Sequence, residues 1–388
     1  MRVLHLGHVP VPFDHPEREH VGNQHPGRWV LNLALAQKEA GLDVEVVAQA
    51  HKAKCDFDCE IEGVRVHFLR TFHPYRHLTF FLADRIRMAR FAKRLRPDIV
   101  VGHGTEDVYG WAALGTGLPF CLLPQGLYFQ IIPALGGRPN VHQRFLRMGE
   151  HRVWKRTRHA VAVSRYVAED LSREYPHLDI TQIPLTYEPA LDRPVVADRG
   201  PTLAYVGSMD ERKGIVSLVE AIRHIIPEFP NLELHVCGNP DEATASGYAA
   251  VQLRALRDLL GSRLVLHGRV PSREVFFILR RSTALVAPSL NEMFGCQCVE
   301  ALMCGAHAIV TDDTAMAENV RIAGNGTIVP QRDAGAIAEA IRTVFTKPPS
   351  LADMEASRQR LREYLGPGRV AELHRELYTR IIKEATSS

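Results

Sequence analysis

Short continuous apolar runs alternate along the chain with longer stretches in which apolar residues recur every three or four positions. The first pattern suits strands buried on both faces and the second suits amphipathic helices. Their alternation predicts an α/β fold with parallel sheets. In the first half the runs are residues 3–6, 44–48, 98–101, 120–123 and 160–163, with residues 64–68 alternating at period two. A helix is predicted over 29–40, where Val30, Leu33, Ala34 and Ala36 share a face and Gly41 supplies the stop. Ser164 is placed to cap a helix beginning near Tyr166. Residues 189–201 carry Pro, Asp, Arg and Gly without an apolar period and read as a linker. The alternation then restarts, with strands at 203–207, 232–236, 264–266, 284–287 and 308–310 and helices at 215–226, 249–260, 273–279, 299–303 and 334–345. A charged amphipathic stretch over 354–383 closes the chain. The expected organisation is a Rossmann-like domain at 1–188, the linker, a second Rossmann-like domain at 202–350, and a helical segment at 351–388 that packs back toward the first domain. Ligands of such sheets bind beyond the carboxyl ends of the strands, so a cleft between the two domains is the expected site.

Apolar residues make up 46% and charged residues 23% of the 388, which excludes a disordered or fibrous chain. No apolar run approaches the roughly 18 residues of a bilayer-spanning helix, and the start lacks the apolar stretch of a secretion signal. With seven cysteines, this points to a reduced, cytoplasmic setting. Cys55 with Cys59, and Cys296 with Cys298, lack a second pair at zinc-site spacing, so no metal is expected. His15, His20 and His25, with Asp14, Glu17 and Glu19, read as a polar loop rather than a metal cage. A net charge of +3 is too small to argue for nucleic acid. The excess is local, because residues 1–200 hold 26 Lys and Arg against 22 Asp and Glu.

The chemistry concentrates in residues 287–302, Ala-Pro-Ser-Leu-Asn-Glu-Met-Phe-Gly-Cys-Gln-Cys-Val-Glu-Ala-Leu, at the carboxyl end of a buried strand and the start of a helix. Gly295 permits close approach of a ligand to backbone. The amides after it belong to a helix N-terminus, where an anion is favoured. Glu292 precedes the helix, and Glu300 lies about two turns farther on near the same face. Two carboxylates so placed can hold hydroxyls at two ends of one ligand.

This segment resembles the E-x7-E signature of the retaining glycosyltransferases of family 4, also called group 1, which have the GT-B fold. Other parts match in order: Val206-Gly207 through Arg212-Lys213-Gly214, Leu266-His267-Gly268-Arg269-Val270, residues 304–310, Gly324-Asn325-Gly326 and Ile328-Val329-Pro330. The resemblance covers nearly the whole chain and is strongest over 201–345. It implies two Rossmann-like domains facing an interdomain cleft, and transfer of a sugar with retention from a nucleotide-sugar, UDP- or GDP-linked, to a glycan, lipid-linked or small-molecule acceptor. It further implies that Glu300 holds the ribose hydroxyls, Glu292 touches the donor sugar, and the amides of Phe294, Gly295 and Cys296 meet the diphosphate or sugar. Lys213 sits on the diphosphate with Arg212 as a second contact, and the backbone near Val270 reads the base. The family's same-face displacement lets the departing phosphate take the acceptor proton. No carboxylate nucleophile, metal or further cofactor is then required, because Lys213 supplies the metal's electrostatic part.

Three positions depart from the family pattern. Ser208 stands where many members carry a phosphate-binding Arg. Gln125, in Pro124-Gln125-Gly126, stands where many carry a His close to the transferred sugar. Gln24-His25, followed by Gly27 and Arg28, replaces a Gly-Gly pair. Gln125 can hydrogen-bond a sugar but carries no charge, and Arg212 or Arg28 is placed to compensate for the missing cation. Gly27, Arg28 and His103, the last at another strand end, are candidates for the acceptor side of the cleft. Basic residues also crowd two predicted helices, 82–96 and 143–158, with apolar residues interleaved. These are candidates for peripheral contact with the inner face of a membrane, and a solvated charged face is the competing reading. Other readings are a catalytically inactive GT-B binder of nucleotide or glycan, a GT-B epimerase or phosphorylase, and a dinucleotide-dependent oxidoreductase. No G-x-G-x-x-G follows the first strand of either half, which counts against the last.

Overall fold

The computed structural model describes residues 1–11, 15–18, 27–71, 79–105, 107–134, 136, 139–196, 199–238 and 247–387. Two compact units emerge: Met1–Thr186 with Leu365–Ser388, and Tyr187–Tyr364. Both are α/β units built on mainly parallel sheets.

The first unit runs β1 (Arg2–Leu6), α1 (Trp29–Glu39), β2 (Asp43–Ala50), β3 (Phe57–Ile61), β4 (Val64–Arg70), α2 (Leu82–Arg94), β5 (Ile99–His103), α3 (Val108–Thr116), β6 (Phe120–Leu123), α4 (Tyr128–Ala134), α5 (Val141–Trp154), β7 (His159–Ala162), α6 (Arg165–Glu174) and β8 (Asp179–Gln182). Its eight strands lie in the order β3-β4-β2-β1-β5-β6-β7-β8. Only β3 is antiparallel, forming a hairpin with β4. The central strands are apolar on both faces because helices cover both, so β1 and β5 are buried almost throughout. Ser164 caps α6 by accepting from the Val167 amide at 3.2 Å.

The second unit runs β9 (Thr202–Val206), α7 (Ile215–Ile225), β10 (Glu233–Cys237), α8 (Gly247–Leu260), β11 (Leu264–Gly268), α9 (Ser272–Arg281), β12 (Ala284–Ala287), α10 (Cys296–Met303), β13 (His307–Thr311), α11 (Ala315–Ala323), β14 (Gly326–Val329), α12 (Ala334–Thr346) and α13 (Leu351–Leu365, its last residue grouping with the first unit). Its parallel sheet has the order β11-β10-β9-β12-β13-β14. Leu218 and Ile222 of α7 and Ile337 and Ile341 of α12 pack with strand residues Leu203, Leu234, Val286 and Ile309 in one core. Each such fully buried aliphatic side chain contributes about 1.5–3 kcal/mol. Residues 189–196 and 199 are fastened to this unit. Arg199 donates to the Ser282 and Cys304 carbonyls at 2.9 Å each, and Arg358 donates to the Arg193 carbonyl at 2.8 Å.

The closing stretch is two helices rather than one. Gly366 and Pro367 interrupt it, since Pro is tolerated at the first position of a helix but not inside one. After the break, α14 (Pro367–Ser387) belongs to the first unit, with Val370, His374, Leu377, Tyr378 and Ile381 buried along one stripe. It meets α1 through Gln37, whose amide donates to the Tyr378 hydroxyl at 3.0 Å. Gln37 Oε1 also pairs with His5 Nε2 at 2.8 Å, and His5 Nδ1 pairs with His103 Nε2 at 2.8 Å. Burial holds His5 down at about 4 and His374 at about 3. Burial also lowers His103, reinforced by His5 and His374.

These histidines stay neutral in the fold while the unfolded chain takes up protons below its ordinary value near 6.5. Their stabilising balance is therefore complete above pH 6.5 and is lost as pH falls toward 4. Urea unfolding of the wild type should show a loss of about 2–3 kcal/mol over that window beyond the loss in His374→Phe. Parallel pH profiles for the two proteins would contradict this.

Candidate active site

Strand order in the second unit reverses at β9, which has β10 on one side and β12 on the other. Loops leaving adjacent strands at such a switch point diverge to opposite faces of the sheet and leave a crevice at the carboxyl ends. The loops here are 207–214 after β9 and 288–295 after β12. They touch at Gly214, which has φ +69° and where a Cβ would stand 1.8 Å from the Pro288 carbonyl oxygen. Only glycine fits that contact. The Leu290 amide donates to the Arg212 carbonyl at 2.7 Å, tying the loops together by backbone as well.

The first loop presents a cation. Asp210 accepts from the Lys213 amide at 3.0 Å and caps a single turn over Glu211–Lys213. The Ser208 hydroxyl donates to the other Asp210 oxygen at 2.6 Å. The second loop presents an anion on a backbone fixed from several sides. Asn319 Nδ2 donates to the Phe294 carbonyl at 2.6 Å, Gln331 Nε2 to the Leu290 carbonyl at 3.1 Å, and the Ala315 amide to the Glu292 carbonyl at 3.0 Å. The Thr311 hydroxyl donates to the Ser289 carbonyl.

Lys213 Nζ donates to Glu292 Oε1, with Arg212 3.6 Å from the same oxygen. Burial pushes the Glu292 carboxyl up, and the Lys213 ammonium and Arg212 guanidinium outweigh it, leaving the group below the usual carboxylate range. Gly295, at φ +76°, turns the chain into α10, and Met316 fills the space its missing side chain leaves. Glu300 lies one turn from the end of α10, partly exposed, and is pushed up to about 7 by burial and then by Glu188. The Cys296 thiol, at the first position of α10, is raised by burial and by Glu300 and Glu292 and lowered by Lys213. It therefore feels the lysine and both glutamates at once. The loops after β9 and β12 and the helix α10 that follows thus bring together a paired lysine, a helix start and two carboxylates in opposite electrostatic settings.

Residues 191–364 match the family model described as glycosyl transferases group 1, and residues 26–186 match that of the glycosyl transferase 4-like domain. The chain belongs to the group 1 glycosyl transferases. This group 1 chain is 25% identical over 245 residues to alpha-maltose-1-phosphate synthase of Mycolicibacterium smegmatis, covering 57% of this chain and 62% of that protein. Its fold is GT-B. It superposes on sucrose-phosphate synthase from Thermosynechococcus elongatus with a TM-score of 0.80, at 19% identity over 99% of each chain. It superposes on Anabaena Alr3699/HepE, solved with UDP and glucose, with a TM-score of 0.71, at 13% identity over 97% of this chain and 99% of that one.

Lys213, Arg212, Glu292, Phe294, Gly295, Cys296 and Glu300 come together in this group 1 chain as described, and Ser208 stands exposed beside them, engaged with Asp210. Val270 is half-buried in the turn between β11 and α9. His103 ends β5 of the other unit, and Gln125 lies two residues beyond the end of β6. The Gln125 amide nitrogen is buried and has no hydrogen-bond partner among the described residues. His103 is 2% exposed and lies in the histidine chain beneath the strand end, an interior position rather than a cleft surface. His8, two residues beyond β1, is half-buried, 3.6 Å from Asp107 and 3.1 Å from the Tyr109 hydroxyl. Arg28 pairs with both Glu62 oxygens at 2.7 Å, Gly27 borders Trp29, and Gln24 and His25 lie outside the described residues. In the histidine-rich loop only His15 and Glu17 of the six named residues are described. Sequence reasoning missed Asp210, Asn319 and Gln331, which position the loops. Asp210, three residues before Lys213, carries a capping signal that was available; the other two act across the fold.

Gly214→Ala should destabilise the second unit by about 2 kcal/mol or more, through the left-handed backbone and the Pro288 contact. Chemical denaturation checks this, and an unchanged midpoint would show that the two loops are not in fixed contact.

Proposed function

We propose that this chain is a retaining, metal-independent hexosyltransferase that moves a sugar from a nucleotide-sugar to a glycan, lipid-linked or small-molecule acceptor in cytoplasmic polysaccharide biosynthesis. The observation that carries this reading is the Lys213–Glu292 pair beside the start of α10, at the switch point of the sheet. In the reaction, the bond between the sugar's anomeric carbon and the diphosphate oxygen breaks and the diphosphate gains charge. Lys213, Arg212 and the amides of Phe294, Gly295 and Cys296 stabilise that charge where it develops. Glu292 leaves Lys213 to accept hydroxyls of the donor sugar. Glu300 accepts two ribose hydroxyls, and the backbone at Val270 meets the base. The acceptor hydroxyl attacks from the face the leaving group vacates and gives its proton to the departing phosphate.

A UDP- or GDP-linked sugar suits these groups, and the UDP bound to the Anabaena protein supports the choice of a nucleotide-sugar. On the acceptor side, the unpartnered Gln125 amide nitrogen is the group offered to the transferred sugar, and Gly27 and Arg28 are the further acceptor candidates. Peripheral membrane contact through α2 and α5 fits a lipid-linked acceptor. Leu82 and Ile86 on α2 and Val141 and Met148 on α5 are exposed on the same helices as the basic residues, at 45%, 42%, 83% and 40%. No described helix is long and apolar enough to cross a bilayer. A second reading, a non-catalytic binder, draws on Ser208 and Gln125 standing where the family carries charged or basic groups. Turnover of any donor removes it.

Lys213→Ala should lower kcat/KM for the preferred donor by about 100-fold or more, most of it in kcat. An unchanged kcat would overturn the lysine's part. For Glu300 the carboxylate form accepts the hydroxyls. Nucleotide affinity measured by calorimetry should therefore rise as pH passes upward through about 7. Glu300→Gln should bind weakly with a flat profile, and a rising profile in that variant would contradict the assignment.

A further inference from the structure

A second collection of charge lies in the first unit. Between α2 and α3 a groove of about 480 Å³ is lined by Arg85, Arg90 and Lys93 of α2, by Trp111 of α3, and by Arg156 just after α5. No carboxylate lines it, and none of the four cations has an ion-pair partner among the described residues. Elsewhere on the same helix Arg87 is matched to Asp56, so α2 is not basic simply for want of acids. The Arg85 guanidinium lies 4.5 Å from the centre of the Trp111 ring, which is 7% exposed and forms a rigid floor. Burial lowers the Arg85 guanidinium, and repulsion from Arg156 lowers it further, so these two like charges are held near each other without compensation. Uncompensated, partly buried like charges cost stability, and such local costs mark binding sites. The volume suits one head group or one sugar phosphate rather than a polymer.

We propose that this groove is a phosphate-recognition site, taking a phosphomonoester or diphosphate group between the Arg85 and Arg156 guanidiniums, with Arg90 and Lys93 at its rim. Guanidinium forks match two phosphate oxygens at a time, and the two rim cations balance the remaining charge of a dianion. The phosphate comes either from a soluble phosphate ester or from a lipid head group. In the second case the exposed Leu82 and Ile86 on the same helix rest against the acyl boundary. The site is independent of the glycosyl-transfer reading, because all its residues belong to the first unit.

The test uses the full chain carrying Lys213→Ala, which removes the second unit's central phosphate contact; what remains there is common to parent and double variant and cancels in their comparison. Inorganic pyrophosphate is titrated calorimetrically at constant ionic strength. Flotation is measured with phosphatidylcholine vesicles containing phosphatidic acid, and with matched vesicles containing the same fraction of phosphatidylglycerol. Saturable pyrophosphate binding, weakened at least about tenfold by the double substitution Arg85→Gln with Arg156→Gln and unchanged by Arg165→Gln on α6, supports the site. Flotation favouring phosphatidic acid and displaced by pyrophosphate identifies the lipid source, and pyrophosphate binding without flotation identifies the soluble one. Relieving the repulsion should leave the double variant at least as stable to heat as its parent, and Arg90→Gln at the rim gives an independent, smaller loss. If pyrophosphate does not bind, or if the double variant binds as its parent does, the proposal is wrong. Equal flotation on both anionic lipids without competition by pyrophosphate overturns it too, as simple surface charge.

Discussion

The ion pair between Lys213 and Glu292 joins two loops that are distant in sequence and adjacent only because β9 and β12 are neighbours in the sheet. Everything chemical in the second unit depends on that adjacency. A half-buried carboxylate without a cation would be driven toward its neutral form. Here the lysine and Arg212 keep it charged, while Glu300, with no cation paired to it among the described residues, rises to about 7. The pair also stores the arrangement a diphosphate would need: the ammonium is already placed beside a helix start, on loops locked by Gly214 against Pro288 and by backbone hydrogen bonds. A ligand then has to exchange one anion for another, not assemble a site.

The same economy shapes the first unit in a different way. There the strand ends conceal a neutral histidine chain running from His103 through His5 to Gln37 and Tyr378, and α14 closes over it from the far end of the sequence. His103 is thus an interior structural residue at a strand end, and Gln125 carries the unpartnered donor. Helix α2 of this unit is strongly basic, and in one groove its charge is left unmatched among the described residues.

Much of this was legible in the sequence. Buried parallel strands announce themselves as continuous apolar runs, and the segment around Glu292 and Glu300 announced itself by lying at such a strand's end with a glycine before a helix. What escaped has physical reasons. The hairpin strand β3 is half exposed and carries Asp58, Cys59 and Glu60, so it has no apolar run. The edge strand β8 is short and only partly buried. Helix α3, Val-Tyr-Gly-Trp-Ala-Ala-Leu-Gly-Thr, is apolar all round because it is buried, which erases the helical period. The break at Gly366-Pro367 was visible, but that the two halves of the closing stretch serve different units is decided by tertiary packing. Asn319 and Gln331 reach the site across the fold, and no spacing rule reports such contacts.

The most direct test of the account is a crystal structure of the chain soaked with UDP. The account predicts diphosphate oxygens within hydrogen-bonding distance of Lys213 Nζ and the Cys296 amide, ribose hydroxyls on Glu300, and Glu292 released from the lysine. A nucleotide found elsewhere, with the Lys213–Glu292 pair intact, would contradict it.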